Sequence, residues 1–423
     1  MSGHHFVPAL SLLLFVLSNS APAEAAARSS GNEEGRFRFQ HSFVEENGGF
    51  DGWGCPILVD VDGDGELDFV TGGKGGGLLF WYEYRSGRWL KHVISREISP
   101  QVGGAAADLD GDGKPEIVCG EWGRAGRLFW IRPQGRTQGK WVYSAVAKGH
   151  RDPHDVVAGD IDGDGRTDIL VRDKHISLVW YSVPPDLSEP WRRQVVAENL
   201  PGDGTAIADM DGDGDSDIVT GGVWFENEDG KGKGWKRRRF MPRTLDWDPE
   251  TRVVVADLSG DGLPDIVVTE SEISHARMAV FLNPGQPGKE PWPHVLVVSR
   301  DADRRALHSL AVADFDADGK PEIFTAEMEN RKTDGVRKKP KWYIYNCPKG
   351  DGKSWVKHVI LDSNLGTHCA KVGDATGDVL PDIVGKTWRP NRVNGNRGRQ
   401  HVDFLRNASR KGKSARNPSV SGG

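Results

Sequence analysis

Short apolar stretches separated by acidic, glycine-containing turns recur along most of the chain. Between residues 154 and 182 "HDVVAG", "DILV" and "SLVWYS" follow one another, and the same succession returns before and after them. Runs this short, rich in Val, Ile, Phe and Trp and bounded by Gly, Asp and Pro, predict β-strands rather than helices. Each unit reads as an apolar run, an acidic turn, a "DIV"-like run, an aromatic run and a strand opening with Trp. The aromatic runs are "LLFWYEY", "RLFWIRP", "SLVWYSV", "GGVWFEN", "MAVFLNP", "KWYIYNC" and "VDFLRNA".

The acidic turns set the period. They read "DVDGDGELD" from Asp60, "DLDGDGKPE" from Asp108, "DIDGDGRTD" from Asp160, "DMDGDGDSD" from Asp209, "DLSGDGLPD" from Asp257, "DFDADGKPE" from Asp314 and "DATGDVLPD" from Asp374. Successive copies begin 48 to 60 residues apart, close to the length of a four-stranded propeller blade. The pattern predicts an all-β fold, one seven-bladed β-propeller spanning 35–407. No fourth strand follows "VDFLRNA"; "RFQHSFVEE" at 38–46 reads like "WLKHVIS" of the first unit and is expected to supply it, closing the ring and removing an open sheet edge.

Acids at positions 1, 3, 5 and 9 of each turn point oxygens at one centre, the way a hard cation such as Ca²⁺ is held. The predicted loop ligands are Asp60, Asp62, Asp64 and Asp68; Asp108, Asp110, Asp112 and Glu116; Asp160, Asp162, Asp164 and Asp168; Asp209, Asp211, Asp213 and Asp217; Asp257, Asp261 and Asp265; and Asp314, Asp316, Asp318 and Glu322. Ser259 replaces one acid in the fifth loop, and Thr376 one in the seventh, which is left outside the ligand set. An EF-hand is excluded, because the flanks are β-type and the last acid comes at position 9 rather than 12.

Charge changes the picture once the loops are set aside. The formal charge is −6, yet removing the 26 loop carboxylates leaves 35 acids against 55 Lys and Arg. The remaining surface is basic, notably at 231–239 and 331–341; such runs are solvated loops or attract a polyanionic partner. Nucleic acid is not expected, since no recognition motif is present and the chain reads as exported. Residues 1–27 resemble a signal peptide, with the apolar "FVPALSLLLFVLS" and small-residue cleavage sites after Ala23 or Ala27, though its start lacks Lys and Arg. A linker at 28–34, a disordered basic tail at 408–423 and no membrane span complete the expectation of a secreted or periplasmic monomer. Four cysteines leave three pairings open if two bridges form. Cys55 and Cys369 share a slot in neighbouring blades, and they are expected to lie beyond bonding reach.

Aligning the units on their loops exposes the candidate chemistry. Six residues before the first Asp stand Gly54, Val102, His154, Asp203, Thr251, His308 and His368. The first strand of a blade is innermost, so this slot lies at the channel mouth opposite the loops. Thirteen residues after the first Asp the second strand is expected to deliver Glu121, Asp173, Glu270 and Glu327 to the same mouth. Arg172, Arg252 and Lys386 stand nearby, with Trp53, Trp122 and Trp388 as sugar-stacking platforms. Such a funnel is either a reactive pocket or a wet polar mouth whose groups satisfy one another.

The repeats resemble the FG-GAP or VCBS type of integrin α-chain propellers and secreted bacterial proteins, over nearly the whole mature chain. "WY…W.KHVI" with "HDV", "HSL" and "TH" before the loops more narrowly resembles propellers related to aldos-2-ulose dehydratase and the propeller polysaccharide lyases, including rhamnose–glucuronate and ulvan lyases. That resemblance implies a carbon–oxygen lyase or dehydratase performing β-elimination on a uronate-containing glycan or keto-sugar. His154 would be the base, oriented by Asp155; His308 and His368 would hold a second divalent metal or donate a proton; and Arg252 or Lys386 would meet the substrate's negative charge. Glu121, Asp173, Glu270, Glu327, Arg172, Trp122 and Trp388 would bind it. The other reading is a non-catalytic propeller that binds glycan or protein.

Overall fold

In the computed structural model the aromatic runs become third strands, and their alternate side chains are buried between neighbouring blades. The structure describes residues 36–49, 52–74, 76–174, 176–300, 304–329, 339–389 and 395–409, and the backbone of Arg28–Gly31. The signal-peptide reading, residues 32–34 of the linker, most of the tail, and residues 331–338 of the second basic run lie outside the described residues.

Seven antiparallel sheets are arranged as a ring; blades one to six run outward from the channel in chain order, and blade seven takes its outer strands from the start of the chain. Blade one is Trp53–Val59, Asp68–Gly73, Leu78–Arg85 and Arg88–Ser95. The innermost strands of the others are Pro100–Ala107, Pro153–Gly159, Thr205–Ala208, Thr251–Ala256, Leu307–Ala313 and Cys369–Gly373. Each touches the next, and the last touches the first. Blade seven takes its fourth strand from the start of the chain: Arg38–Glu45 pairs with Val402–Asn407, from Phe39 opposite Asn407 to Glu45 opposite Val402. Backbone Arg28–Gly31 adds a fifth strand outside it.

The core is divided among the blade interfaces. Seven apolar clusters each join two adjacent blades, Trp81 between blades one and two, Trp180 between three and four, Trp224 between four and five, Trp342 between six and seven. These four indoles are fully buried, and truncating one to Ala would cost about 3–5 kcal/mol. Side-chain amides stitch the same interfaces: Asn227, Asn283 and Asn407 each donate Nδ2 to a loop carbonyl of the preceding blade, at Ile161, Met210 and Phe315 (3.0, 2.9 and 2.8 Å). Among the described residues no helix is long and apolar enough to cross a membrane.

Candidate functional site

The acidic turns form one face of the ring. In blades one to four the oxygens of the acids at positions 1, 3 and 9 lie within 4.8 Å of one another, as in Asp60, Asp62 and Asp68 or Asp160, Asp162 and Asp168. Position 1 also braces the turn, Asp160 accepting the N–H groups of Gly163 and Gly165 at 2.8 and 2.9 Å. Position 9 is buried, and burial pushes Asp68 up to about 8 and Asp168 and Asp217 up to about 7. At position 3, Asp162 Oδ1 and Asp211 Oδ1 are buried without a hydrogen-bond donor. Buried, mutually repelling, donor-starved oxygens fit a hard divalent cation. Position 5 braces the turn further on, where Asp64, Asp112 and Asp164 each accept the N–H two residues ahead, at 2.9 Å.

The opposite mouth gathers the slot at −6. His154 Nδ1 lies 3.4 Å from Asp203 Oδ2 and 3.6 Å from Asp155 Oδ1. Arg252 stands 3.3 Å from Asp203 and 3.7 Å from Asp155, and its Nη2 donates to His308 Nε2 at 2.8 Å. The His308 and His368 rings stack with centroids 3.7 Å apart, and His368 stacks on Trp388 at 4.7 Å. Burial, with the charges of His308, Lys386 and Arg252, holds His368 well below the usual imidazole range. Burial and Arg252 act against protonation of His308 too, but Cys369 and Glu272 outweigh them and raise its pKa. Donor atoms of His308, His368 and Cys369 lie within 4.8 Å of one another, and His368 Nδ1 has no hydrogen-bond partner. Two imidazoles and a thiol suit a soft divalent ion.

Two cavities lie here. One of about 230 Å³ occupies the channel, lined by His154, Asp155, Arg252, His308 and Cys369. The other, about 220 Å³, forms the mouth between Lys74, Trp122, Lys174, Glu272, His368 and Trp388, and the two share His154 and Val102. Lys74 Nζ sits between two indole faces, 3.8 Å from the Trp122 centroid and 3.9 Å from that of Trp388. Burial pushes its ammonium down to about 6, while the π faces favour the cation. Lys174 is 2.9 Å from Glu250 and 3.5 Å from Asp203.

The carboxylates at +13 are not at the mouth. Glu121 receives Arg127 through Nε at 2.7 Å and Nη2 at 2.5 Å, and Glu270 receives Arg277 at 3.0 and 2.5 Å. Asp173 pairs with His150 at 2.9 Å; Glu327 accepts the Lys341 N–H at 3.0 Å and the Tyr343 hydroxyl at 3.3 Å. Each is consumed at a turn further out in its own blade. Arg172 is likewise internal, fully buried and donating to the carbonyls of Leu200, Pro201 and Gly202 at 2.8, 2.8 and 3.1 Å. Lys386 lies behind the mouth, its ammonium donating to the Trp53 carbonyl at 2.8 Å.

The side chains that do reach the mouth stand one residue later, at +14: Lys74, Trp122, Lys174, Met328 and Trp388. Successive side chains of a strand face opposite ways, so an error of one residue selects the wrong side. Of these, the sequence pattern points only to Trp122 and Trp388. Asp203 stands in the −6 slot itself, but a pattern built on histidines does not single it out. Cys369 is expected from the sequence only as a bridge candidate. All four cysteines are free thiols. The Cys119 thiol is held up first by its hydrogen bond to Cys55 and then by burial. Burial would raise Cys369, but the His308 hydrogen bond and the charges of Lys386 and Arg252 bring it down to about 6.

Comparison with known proteins bears on the scaffold. BBS1N, solved in complex with ARL6DN, superposes with a TM-score of 0.51 at 10% identity, over 88% of this chain and 97% of that one. The Vibrio cholerae biofilm matrix protein Bap1 (TM-score 0.38, 15% identity, 87% and 70% covered) and a luciferin-regenerating enzyme (0.39, 10%, 89% and 98%) are more distant in shape. No curated protein matches the chain. The model of the FG-GAP-like repeat matches residues 60–119, 108–171, 209–268 and 257–325, more than half of the sequence, and the chain belongs to that family.

Proposed function

We propose that this is an exported, monomeric propeller stabilised by calcium in its acidic loops, which performs β-elimination on a uronate-containing glycan or keto-sugar at the mouth opposite them. The observation that carries the reading is the convergence of His154, His308 and His368, from three blades, with Arg252 and two exposed-edge indoles on one pair of cavities. The Asp203 and Asp155 carboxylates, 3.4 and 3.6 Å from His154 Nδ1, favour a proton on that nitrogen, leaving Nε2 to take the proton next to a carboxylate or carbonyl. Arg252 opposes the negative charge that develops on the substrate oxygen. His308, once its Nε2 is released from Arg252 and takes up a proton, as Cys369 and Glu272 favour, returns that proton to the departing oxygen. If a soft divalent ion instead occupied His308, His368 and Cys369, it would supply Lewis-acid polarisation of the same oxygen in place of that proton.

One observation favours the other reading, a propeller that only binds glycan or protein: Arg252 and Lys174 already face carboxylates of the mouth. The deciding assay follows the ultraviolet absorbance of a new conjugated double bond on uronate polysaccharides and keto-sugars. His154→Ala is expected to cut the rate by roughly 10²-fold to 10⁴-fold, with comparable losses for His308→Ala and His368→Ala. Wild-type protein that leaves every such substrate intact, yet is retained on an acidic-glycan column, is a binding module.

A further inference from the structure

The sixth acidic loop differs from the other complete ones in holding a cation that meets three of its acids at once. Arg36, two residues before the strand that closes blade seven, reaches into the loop of blade six. Its Nε donates to Asp316 Oδ2, its Nη2 donates to Asp318 Oδ2 at 2.6 Å, and Nη2 lies 3.8 Å from Glu322 Oε1. These are positions 3, 5 and 9 of the loop. Asp316 and Glu322 are only 2% and 1% exposed, so the guanidinium neutralises acids that water cannot reach.

A calcium ion would need the same oxygens at about 2.3–2.6 Å. With a guanidinium nitrogen already 2.6 Å from Asp318, the ion and the arginine would compete for one space, and their like charges forbid sharing it. Blade two offers the control. There Arg132 reaches Asp110 alone, from its own blade, and Asp108, Asp110 and Glu116 keep their oxygens clustered. The sixth loop has also exchanged a turn glycine for Ala317, which holds a left-handed φ of 55°, a conformation costly for a residue with a Cβ.

We infer that the blade-six loop is not a calcium site in this protein but a seat in which Arg36 replaces the ion and fastens the N-terminal strand across the blade six–seven boundary. The ring is then closed by a fixed internal charge whatever the metal supply, while the remaining loops depend on it. The inference rests on calcium occupying those other loops, and its test separates the two claims.

Calcium bound per chain would be counted by calorimetry and elemental analysis on full-length wild type, Arg36→Gln and Asp318→Asn. Asp318→Asn should leave the wild-type count unchanged, and Arg36→Gln should raise it by one. A count lowered by one in Asp318→Asn, or a folded Arg36→Gln that gains none, overturns the assignment. If wild type binds no calcium at all, the metal reading of the other loops fails, and the lock is judged in chelator by hydrogen exchange. Amides of 38–45 should then exchange at least tenfold faster in Arg36→Gln than in wild type; equal rates would show that Arg36 fastens nothing.

Discussion

The two faces of this ring are built on opposite plans. On the loop face each site is made from nine consecutive residues and repeated from blade to blade, so it carries its own geometry wherever the hairpin forms. On the mouth face the equivalent slot is filled differently around the ring, by Gly, Val, Asp or Thr in four blades and His in three: His154 meets Asp203 from the blade after its own, and His308 stacks on His368 from the blade after its own. Local, repeated design supports the scaffold. The proposed chemistry sits where the blades differ, since a ring of identical groups would have no direction in which to move a proton.

Three perturbations separate the faces, in decreasing order of expected effect. Deleting 36–46 removes the outer strand of blade seven and Arg36 together, exposing the Val402–Asn407 edge; loss of cooperative unfolding and aggregation are expected in calorimetry and light scattering. A well-behaved monomer would place closure elsewhere. Stripping metal acts on the loop face alone. Each vacated loop forfeits binding energy of about 3 kcal/mol at a hundredfold excess of ion over Kd, so the melting temperature in chelator should fall by on the order of 10 °C across several loops. An unchanged melting curve would remove calcium from the account. Arg172→Met sharpens the boundary of the mouth: it strands three buried carbonyls and should cost about 2–4 kcal/mol in urea titration while leaving ligand affinity as it was. Weakened binding with intact stability would return Arg172 to the site.

The same contrast explains what could be read from the chain. Seven loops and the seven-bladed propeller were legible because spacing within nine residues and between repeats survives in one dimension. The closing strand was legible from a missing fourth strand at one end and a spare one at the other. The −6 slot worked for His154, His308 and His368 because it counts back from a rigid landmark along one strand. The +13 slot failed by a single residue, and the failure is physical: Asp173 ends its strand facing His150 and the outer turn, whereas Lys174 enters the mouth. Arg36 gave no signal. Its seat is formed by residues some 280 positions away, and only the curvature of the closed ring brings them together.

Closure through the outermost strand also imposes a schedule on biosynthesis. Arg38 donates its N–H to Ser409 Oγ across 371 residues, so a strand made early in synthesis is completed by one made at the end. At about 5–20 residues per second the wait is roughly 20–70 s, during which six blades can stack while an unpaired edge strand stays exposed at the start of the nascent chain. A stop codon anywhere before Asn407 would make that wait permanent, leaving a protein of mostly intact blades with one sheet edge open to any neighbour.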